Sequence, residues 1–162
     1  MHEREDPPSN EAATKEFTSR FGISREMTDE EVEDLLRRSW WGSLATVEET
    51  GPYSVPVIYG WDRENFYVAS RSGRKITNLQ ASPAVCLTVV EAEGLGEPWY
   101  SVVVLGDAEL VHGFQGHETA IRALRGQVGR EGKIRPKDVA AMAAAKVIRI
   151  SPREITGRIR IG

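Results

Sequence analysis

The sequence predicts a mainly β domain, built as a closed or partly closed β-barrel with peripheral helices at its rim. Three observations indicate this fold class. About seven segments are rich in β-branched and aromatic residues, and short turns join most of them. Strands and helices also do not alternate in the regular way that is typical of a doubly wound sheet. The 162 residues suffice for one such domain with a buried core.

Residues 1–27 are predicted to form an N-terminal arm that is partly flexible, and residues 28–162 the barrel domain. The arm is polar and acidic and contains two early prolines, so it has little apolar surface to bury. Its beginning, residues 1–10, is predicted to be loose. Scattered apolar side chains can anchor the rest to the barrel or to a second chain, namely Phe17, Phe21 and Ile23. We expect the arm to be dispensable for what the barrel binds.

The first regular element is a helix, predicted over Thr28–Arg38. Thr28 and Glu31 have the spacing of a capping box, in which each residue satisfies a backbone N–H group of the other. Leu35 and Leu36, with Val32 one turn earlier, give the helix a single apolar face. The helix is therefore expected to pack with that face against the barrel.

Strands are predicted wherever a run of β-branched and aromatic residues is bounded by turn residues. The seven runs are Gly42–Val47, Tyr53–Gly60, Phe66–Ser70, Ala84–Glu91, Trp99–Leu110, Lys146–Ile150 and Ile155–Ile161. Pro56 lies inside the second run and predicts a strand edge or a bulge, because proline cannot donate to the ladder. Pro152 and Arg153 are predicted to turn the chain between the last two strands.

Three further helices are predicted between these strands, over Ser72–Ser82, Glu118–Arg125 and Pro136–Ala145. The second is expected to end before Gly126, the first of three glycines that continue to Gly132. The segment from Gly126 to Lys133 superficially suggests a nucleotide-binding loop. Because Ile134 stands where that motif requires Ser or Thr, we interpret the segment as a flexible linker.

Composition excludes several classes of function. The net charge of −3 provides no general attraction to nucleic acid or to an anionic membrane. No apolar run approaches the roughly 20 residues of a membrane span, and the N-terminus lacks an apolar signal sequence. Cys86 is the only cysteine, which excludes an internal disulfide and fits a reducing compartment. We expect a cytoplasmic protein that binds neither nucleic acid nor membrane.

The residue types that usually perform catalysis are scattered along this sequence. His2, His112 and His117 are too far apart to predict a metal site. No serine lies in the context of a hydrolase nucleophile, and no general acid–base pair emerges. No catalytic residue is therefore predicted. If the protein is an enzyme, a cofactor is expected to carry the chemistry.

The start of the Ser72–Ser82 helix is a candidate anion site. Ser72 can cap the helix, Gly73 lets the backbone approach a ligand, and Arg74 and Lys75 add two positive charges. Free N–H groups, the helix dipole and charge-assisted hydrogen bonds favour a phosphate there. The alternative is that both cations are solvated surface charges, although cations oppose the dipole at this end of a helix.

Several segments in this order resemble the FMN-binding split-barrel family related to pyridoxamine 5′-phosphate oxidase, and within it the nitroimidazole-resistance type. They are Ser43–Val47, Val55–Tyr59, Phe66–Ser70, Gly73–Leu79, Ser82–Val89, Tyr100–Gly106 and Ile155–Arg158. The resemblance extends from about Thr28 to Gly162. It implies a six-stranded split barrel that forms a homodimer and holds FMN in two equivalent clefts between the subunits.

The resemblance also implies which residues contact the cofactor. The phosphate is expected against Arg74 and Lys75, with Ser70, Ser72 and Gly73 close by. The flavin ring is expected along the backbone of one strand, from Pro56 through Val57 and Ile58 to Tyr59. Trp99, Tyr100 and Ser101 are expected to approach from later strands, either of the same chain or of the other subunit. The large aromatic side chains Trp40, Trp41 and Trp99 independently favour a homodimer, because one small barrel does not easily hide them.

One departure from the oxidase itself bears on the substrate. An Arg-x-His pattern near the C-terminus, which holds the oxidase's substrate, is absent from the segment Gly157–Gly162. We therefore expect an FMN-dependent oxidoreductase with a nicotinamide donor and a small electron-poor substrate, a quinone or a nitro compound. The alternatives are a non-catalytic flavin or haem binder and a deazaflavin-dependent reductase.

Overall fold

Within the part of the chain that the structure describes, residues 17–19, 22–129 and 136–161, eight β-strands form one antiparallel sheet. The structure is a computed structural model. In chain order the elements are β1 (Phe17–Ser19), β2 (Gly22–Glu26), α1 (Asp29–Arg38), β3 (Trp41–Glu48), β4 (Gly51–Trp61), β5 (Phe66–Ser70), α2 (Arg74–Ala81), β6 (Ala84–Ala92), β7 (Trp99–Leu110), α3 (Phe114–Gly129), α4 (Pro136–Ala144) and β8 (Lys146–Ile161).

Strand β8 closes the sheet into a barrel because it pairs with three other strands. Its beginning pairs with β5, most of its length pairs with β7, and its end pairs with β2. The order around the barrel is therefore β8, β5, β4, β3, β6 and β7, while β2 and β1 extend the sheet from β8. The mainly β fold and the predicted barrel with peripheral helices are confirmed.

The predicted turn at Pro152 and Arg153 is wrong. These residues lie inside β8, which is one continuous strand of 16 residues. On the facing strand Leu105 pairs with Glu154 and Gly106 pairs with Pro152, so Arg153 is an extra residue in the ladder. Such a bulge bends a strand without ending it, and a proline is tolerated there because local pairing is already disrupted.

The prediction that Pro56 marks a strand edge is confirmed. Strand β4 pairs with β3 along eight residues, from Gly51 to Ile58. On its other side it pairs with β5 only over Tyr59–Trp61. The earlier part of β4, including Pro56, therefore has no strand neighbour on that side among the described strands.

Helix α1 begins with the predicted capping box. The backbone N–H of Glu31 donates to Thr28 Oγ1 at 3.3 Å, and the backbone N–H of Thr28 donates to Glu31 Oε2 at 2.8 Å. Arg25 also donates to the Glu31 carboxylate at 2.7 Å. The Arg25 hydrogen bond and the capping hydrogen bonds lower the pKa of Glu31 to about 2.

Helix α3 is longer than predicted, because Gly126 does not end it. The helix runs from Phe114 to Gly129, and its buried face supports the extra turns by packing on the barrel. The first half of the predicted linker, residues 126–129, is therefore helical, and its second half, from residue 130 to Lys133, lies outside the described residues. No helix in the described part of the chain is long and apolar enough to cross a membrane.

The later part of the predicted arm forms two strands. Strand β2 pairs with the end of β8, where Ile23 faces Ile161, and β1 pairs with β2. Residues 1–10 and Phe21 lie outside the described residues.

Two hydrophobic clusters form the core. The larger fills the barrel and includes Leu44, Phe66 and Leu87, with Leu35 and Leu36 of α1 packed against them. The second lies outside the barrel, between β5, β8 and the helices α3 and α4, and is formed by Tyr67, Ala120, Ile121, Leu124, Met142 and Val147. Helices α3 and α4 are therefore held to the outer surface of the barrel by their own apolar cluster.

A side chain from α3 caps the C-terminal end of α1. The buried amide of Gln127 donates to the carbonyl groups of Leu36 at 2.7 Å and of Arg37 at 3.1 Å, and also to that of Ser39. The hydroxyl group of Tyr59 donates to the same Leu36 carbonyl at 2.8 Å. Because the last carbonyls of a helix lack intrahelical donors, these bonds join α1, β4 and α3.

Gly60 permits close contact between β4 and α3. A Cβ atom there would lie 2.5 Å from the backbone carbon of Ala123 and nearer still to the backbone nitrogen of Leu124. Real Cβ atoms do not approach backbone so closely, so α3 can pack here only against glycine.

We predict that Gly60→Ala lowers the free energy of unfolding by about 1–3 kcal/mol, because α3 must move away from β4. Gly126→Ala is the matched control, since it places a methyl group in open space within the same helix. That control should raise stability by about 0.4–1 kcal/mol. Urea unfolding measures both changes. A Gly60→Ala protein as stable as the parent would contradict the role given to this contact.

Candidate ligand-binding cleft

A cleft of about 630 Å³ lies between the open edge of β4, the end of β5, the start of α2 and the helices α3 and α4. This volume falls within the range of roughly 300–1,000 Å³ that is typical of small-molecule sites. Its lining residues are Trp40, Pro56, Val57, Ile58, Ala69, Ser70, Arg71, Lys75, Leu124, Val128, Ala141, Met142 and Ala145.

The open edge of β4 forms one side of the cleft. Pairing between β4 and β5 begins only at Tyr59, which faces Val68. The preceding residues Pro56, Val57 and Ile58 line the cleft, as the resemblance implied. Their backbone on this side has no strand partner among the described strands and can face a ligand.

Tyr59, which the resemblance also placed beside the flavin ring, does not line the cleft. Its side chain is fully buried in the barrel core, where the hydroxyl group donates to Leu36 O. Burial raises the pKa of Tyr59 well above its usual value, so the phenol stays neutral. The Tyr59 backbone N–H donates to the carbonyl group of Trp40 at 3.1 Å, which holds Trp40 at the rim of the cleft.

One end of the cleft is polar and cationic, and it is formed by Ser70, Arg71 and Lys75. Ser70 is buried, and its hydroxyl group donates to the carbonyl oxygen of Arg71 at 2.8 Å. The predicted cap at Ser72 is wrong. The residue before α2 is Gly73, and no side chain caps the helix. Gly73 has φ 158° and ψ −167°, a conformation that glycine adopts far more readily than other residues.

Arg74 and Lys75 do not face the same side of the helix start. Lys75 lines the cleft, whereas Arg74 does not. Arg74 donates to the carboxylate of Glu48 at 2.7 Å and lies 4.5 Å from the centre of the Tyr53 ring. Its hydrogen bond to Glu48 lowers the pKa of that carboxyl group, and Asn78 donates to the same carboxylate at 3.2 Å. The structure therefore brings Lys75 and Arg71, rather than Lys75 and Arg74, to the cleft.

The side of the cleft formed by the helices α3 and α4 is apolar. Leu124 and Val128 of α3, with Ala141, Met142 and the following Ala145, form this wall. None of these wall residues was predicted as a site residue, and Trp40 was predicted to lie at a homodimer interface. Helical spacing of apolar residues was visible in α3, but spacing does not tell which neighbour the apolar face contacts. Arg71 was also not predicted as a site residue, because the anion site was predicted at the start of the Ser72–Ser82 helix and Arg71 precedes that helix.

Trp99 and Ser101 lie elsewhere in the subunit. They line a second cavity of about 230 Å³, together with Gly22, Ser24, Arg158, Ile159 and Arg160. In β8, Lys146 pairs with Ser70 beside the cleft, whereas Arg158 pairs with Ser101. At about 3.3 Å per residue, these two points are separated by roughly 40 Å of extended strand. Within one chain the structure does not bring Trp99 and Ser101 to the cleft.

Comparisons with known proteins identify the family of this chain. The model of a family described as pyridoxamine 5′-phosphate oxidase matches residues 28–159. An uncharacterized protein from Rhizobium meliloti is 31% identical over 100 residues, which cover 61% of this chain and 66% of that protein. The match thus spans slightly less than two thirds of that relative.

Solved structures share the fold along most of the chain. A FAD-binding protein from Mesorhizobium loti has a TM-score of 0.69 and 25% identity, covering 87% of this chain and 99% of that one. A proposed 5-nitroimidazole antibiotic resistance protein from Bacteroides thetaiotaomicron has a TM-score of 0.71 and 18% identity, covering 84% and 87%. The haem storage protein HutZ from Vibrio cholerae has a TM-score of 0.62 and 17% identity, covering 78% and 92%. The family resemblance is confirmed: the chain belongs to the pyridoxamine 5′-phosphate oxidase family.

Proposed function

We propose that the cleft binds FMN and that the protein is an oxidoreductase, which transfers electrons from a nicotinamide to a small electron-poor acceptor. The observation that carries this proposal is the composition of the cleft, which combines two cations, an open strand edge and an apolar helical wall. A phosphorylated, planar cofactor matches that combination of surfaces. Family membership and the FAD-binding protein from Mesorhizobium loti favour a flavin.

The cationic end fits the phosphate of FMN. Arg71 and Lys75 provide two positive charges, and the buried hydroxyl group of Ser70 lies beside them. The first backbone N–H groups of α2 also lack acceptors within the helix. Because Glu48 already neutralises Arg74, the phosphate is assigned to Arg71 and Lys75, and Arg74 has a secondary role.

The edge of β4 would orient the cofactor. The backbone of Pro56, Val57 and Ile58 offers hydrogen-bonding groups to the edge of a planar ring, and Trp40 and the α3–α4 wall exclude water. A bound flavin would supply hydride transfer between the nicotinamide and the acceptor. The protein itself contributes orientation, a water-poor surface and positive charge.

We propose that the protein acts as a homodimer. Burial alternates along β3 and β6, so the side chains Ser43, Ala45 and Val47 of β3 and Cys86, Thr88 and Val90 of β6 face outward. None of these six side chains is charged. An uncharged sheet face suits contact with a second copy of the chain. In such a dimer, Trp99 and Ser101 of one subunit could line the cleft of the other, although they do not line the cleft of their own subunit.

Flavin titration tests the phosphate assignment. We predict that purified protein binds FMN with a yellow flavin spectrum, and that Arg71→Ala and Lys75→Ala each weaken binding roughly ten- to a hundredfold. Each loses a charge-assisted hydrogen bond worth about 1.5–3 kcal/mol. Arg74→Ala, the matched control on the adjacent residue, should change FMN affinity by less than about threefold, because Glu48 already pairs with Arg74.

Riboflavin separates the phosphate contacts from general effects on the cleft. It should bind the parent weakly and respond little to any of the three substitutions. A haem or deazaflavin spectrum would contradict the FMN assignment. If Arg74→Ala loses more FMN affinity than Arg71→Ala, the phosphate is bound by Arg74 and the assignment to Arg71 is wrong. Turnover of a nicotinamide with quinones and nitro compounds tests the oxidoreductase, and flavin binding without turnover would indicate a non-catalytic binder.

Sedimentation tests the homodimer and its face. We predict a dimer at micromolar concentration for the parent, and a dimer weakened roughly a hundredfold or more by Thr88→Arg, because burying an unpaired charge costs several kcal/mol. Thr119→Arg, on the exposed surface of α3, is the control and should leave the dimer intact. If the partner completes the cleft, Thr88→Arg should also weaken FMN binding. A parent that sediments only as a monomer would remove the shared-cleft arrangement.

A further inference from the structure

The wall that α3 and α4 contribute to the cleft consists only of apolar side chains. It is formed by Leu124, Val128, Ala141, Met142 and Ala145. None of these side chains can carry a charge or make a strong hydrogen bond. Leu124 is fully buried and Met142 is 9% exposed, so the wall is part of a packed cluster and not a loose surface.

Polar contacts behind the wall fix its position. Gln127 joins α3 to the C-terminal end of α1, and Gly60 lets the α3 backbone contact β4. His117 Nε2 of α3 lies 2.9 Å from the carbonyl oxygen of Ala143 in α4, at hydrogen-bond distance, and so joins the two helices. Because Gln127, Gly60 and His117 do not line the cleft, the side chains of the wall offer a ligand no strong hydrogen-bonding group.

Such a surface discriminates between acceptors by charge. A charged acceptor would lose its hydration here without gaining a partner, which is unfavourable. The cleft's two cations, Arg71 and Lys75, are assigned to the phosphate of the proposed cofactor, which would neutralise them. An uncharged aromatic ring would instead bury apolar area and contact the Met142 sulfur, which packs favourably against aromatic rings.

We propose, on the basis of the function proposed above, that the α3–α4 wall is the acceptor pocket and that it selects uncharged, planar, apolar acceptors. Bicyclic quinones are the class that best matches it, and Met142 is the residue that determines selectivity. Phosphorylated or sulfonated acceptors are excluded, because their charge would meet the apolar wall. This narrows the acceptors from electron-poor molecules in general to those without charge.

A charge placed in the wall tests the proposal. In the parent, kcat/KM should favour menadione over a naphthoquinone sulfonate by roughly ten- to a hundredfold. Met142→Lys should reduce kcat/KM for menadione and increase it for the sulfonate, so that the preference collapses or reverses. Ala144→Lys is the matched control, because Ala144 is exposed on the same helix and does not line the cleft. It should behave as the parent with both acceptors.

Two further variants separate selectivity from folding. Met142→Ala keeps the wall uncharged, so it should weaken menadione binding by roughly three- to tenfold and leave the sulfonate unaffected. Met142→Leu should restore most of that loss. Thermal unfolding identifies any variant in which α4 has been lost, and the Ala and Leu variants then decide the outcome.

Measurements of menadione binding test the acceptor pocket independently of FMN binding. Equilibrium dialysis of menadione is done with flavin-free and FMN-loaded protein, and FMN affinity is measured separately for every variant. FMN affinity should stay within about twofold of the parent value. A parent that does not bind FMN would overturn the proposed function, while dialysis with flavin-free protein would still test the pocket. Equal preference for both quinones in the parent, or parallel changes for both in Met142→Lys, would overturn the acceptor pocket.

Discussion

The carbonyl groups at the C-terminal end of α1 are the constraint on which the cleft depends. A helix leaves its last carbonyls without intrahelical donors, and burying them unpaired is costly. Gln127 from α3 and Tyr59 from β4 supply the missing donors, and both reach the carbonyl group of Leu36. The Gln127 bonds hold α3 against the barrel, and a separate bond from the Tyr59 backbone N–H to the Trp40 carbonyl group keeps Trp40 at the rim of the cleft. The hydrogen bonds that complete one helix thus also shape the site.

At the start of α2, the adjacent cations Arg74 and Lys75 point in different directions. Successive residues of a helix point about 100° apart, so Arg74 and Lys75 face different surroundings. Glu48, at the end of β3, pairs with Arg74, and Asn78 donates to the same carboxylate. Lys75 is left to the cleft. The acidic partner that distinguishes the two residues lies 26 positions earlier in the chain, so it could not be recognised from the local motif.

Elements governed by local chemistry were predicted well. The strands Phe66–Ser70 and Trp99–Leu110 have the predicted bounds, and the capping box at Thr28 is present. The errors occurred where packing overrides local preference. Gly126 is a helix breaker in isolation, but it lies within α3 because the buried face of that helix packs on the barrel. Pro152 is a turn former, but pairing of β8 with β5 and β7 accommodates it beside a bulge.

The sequence by itself determined most of the barrel strands, the barrel class and three of the cleft's surfaces: the β4 edge at Pro56, the end of β5 at Ser70 and the cation Lys75. These depend on residue types and on spacing over a few positions. Only the tertiary structure decided that Arg71 lines the cleft together with Lys75 and that Glu48 pairs with Arg74 instead. It also decided that apolar residues of α3 and α4 line the same cleft. It also separated Trp99 from the cleft within one chain. The physical reason is that each of these outcomes depends on contacts between elements distant in sequence, which side-chain spacing along one element does not encode.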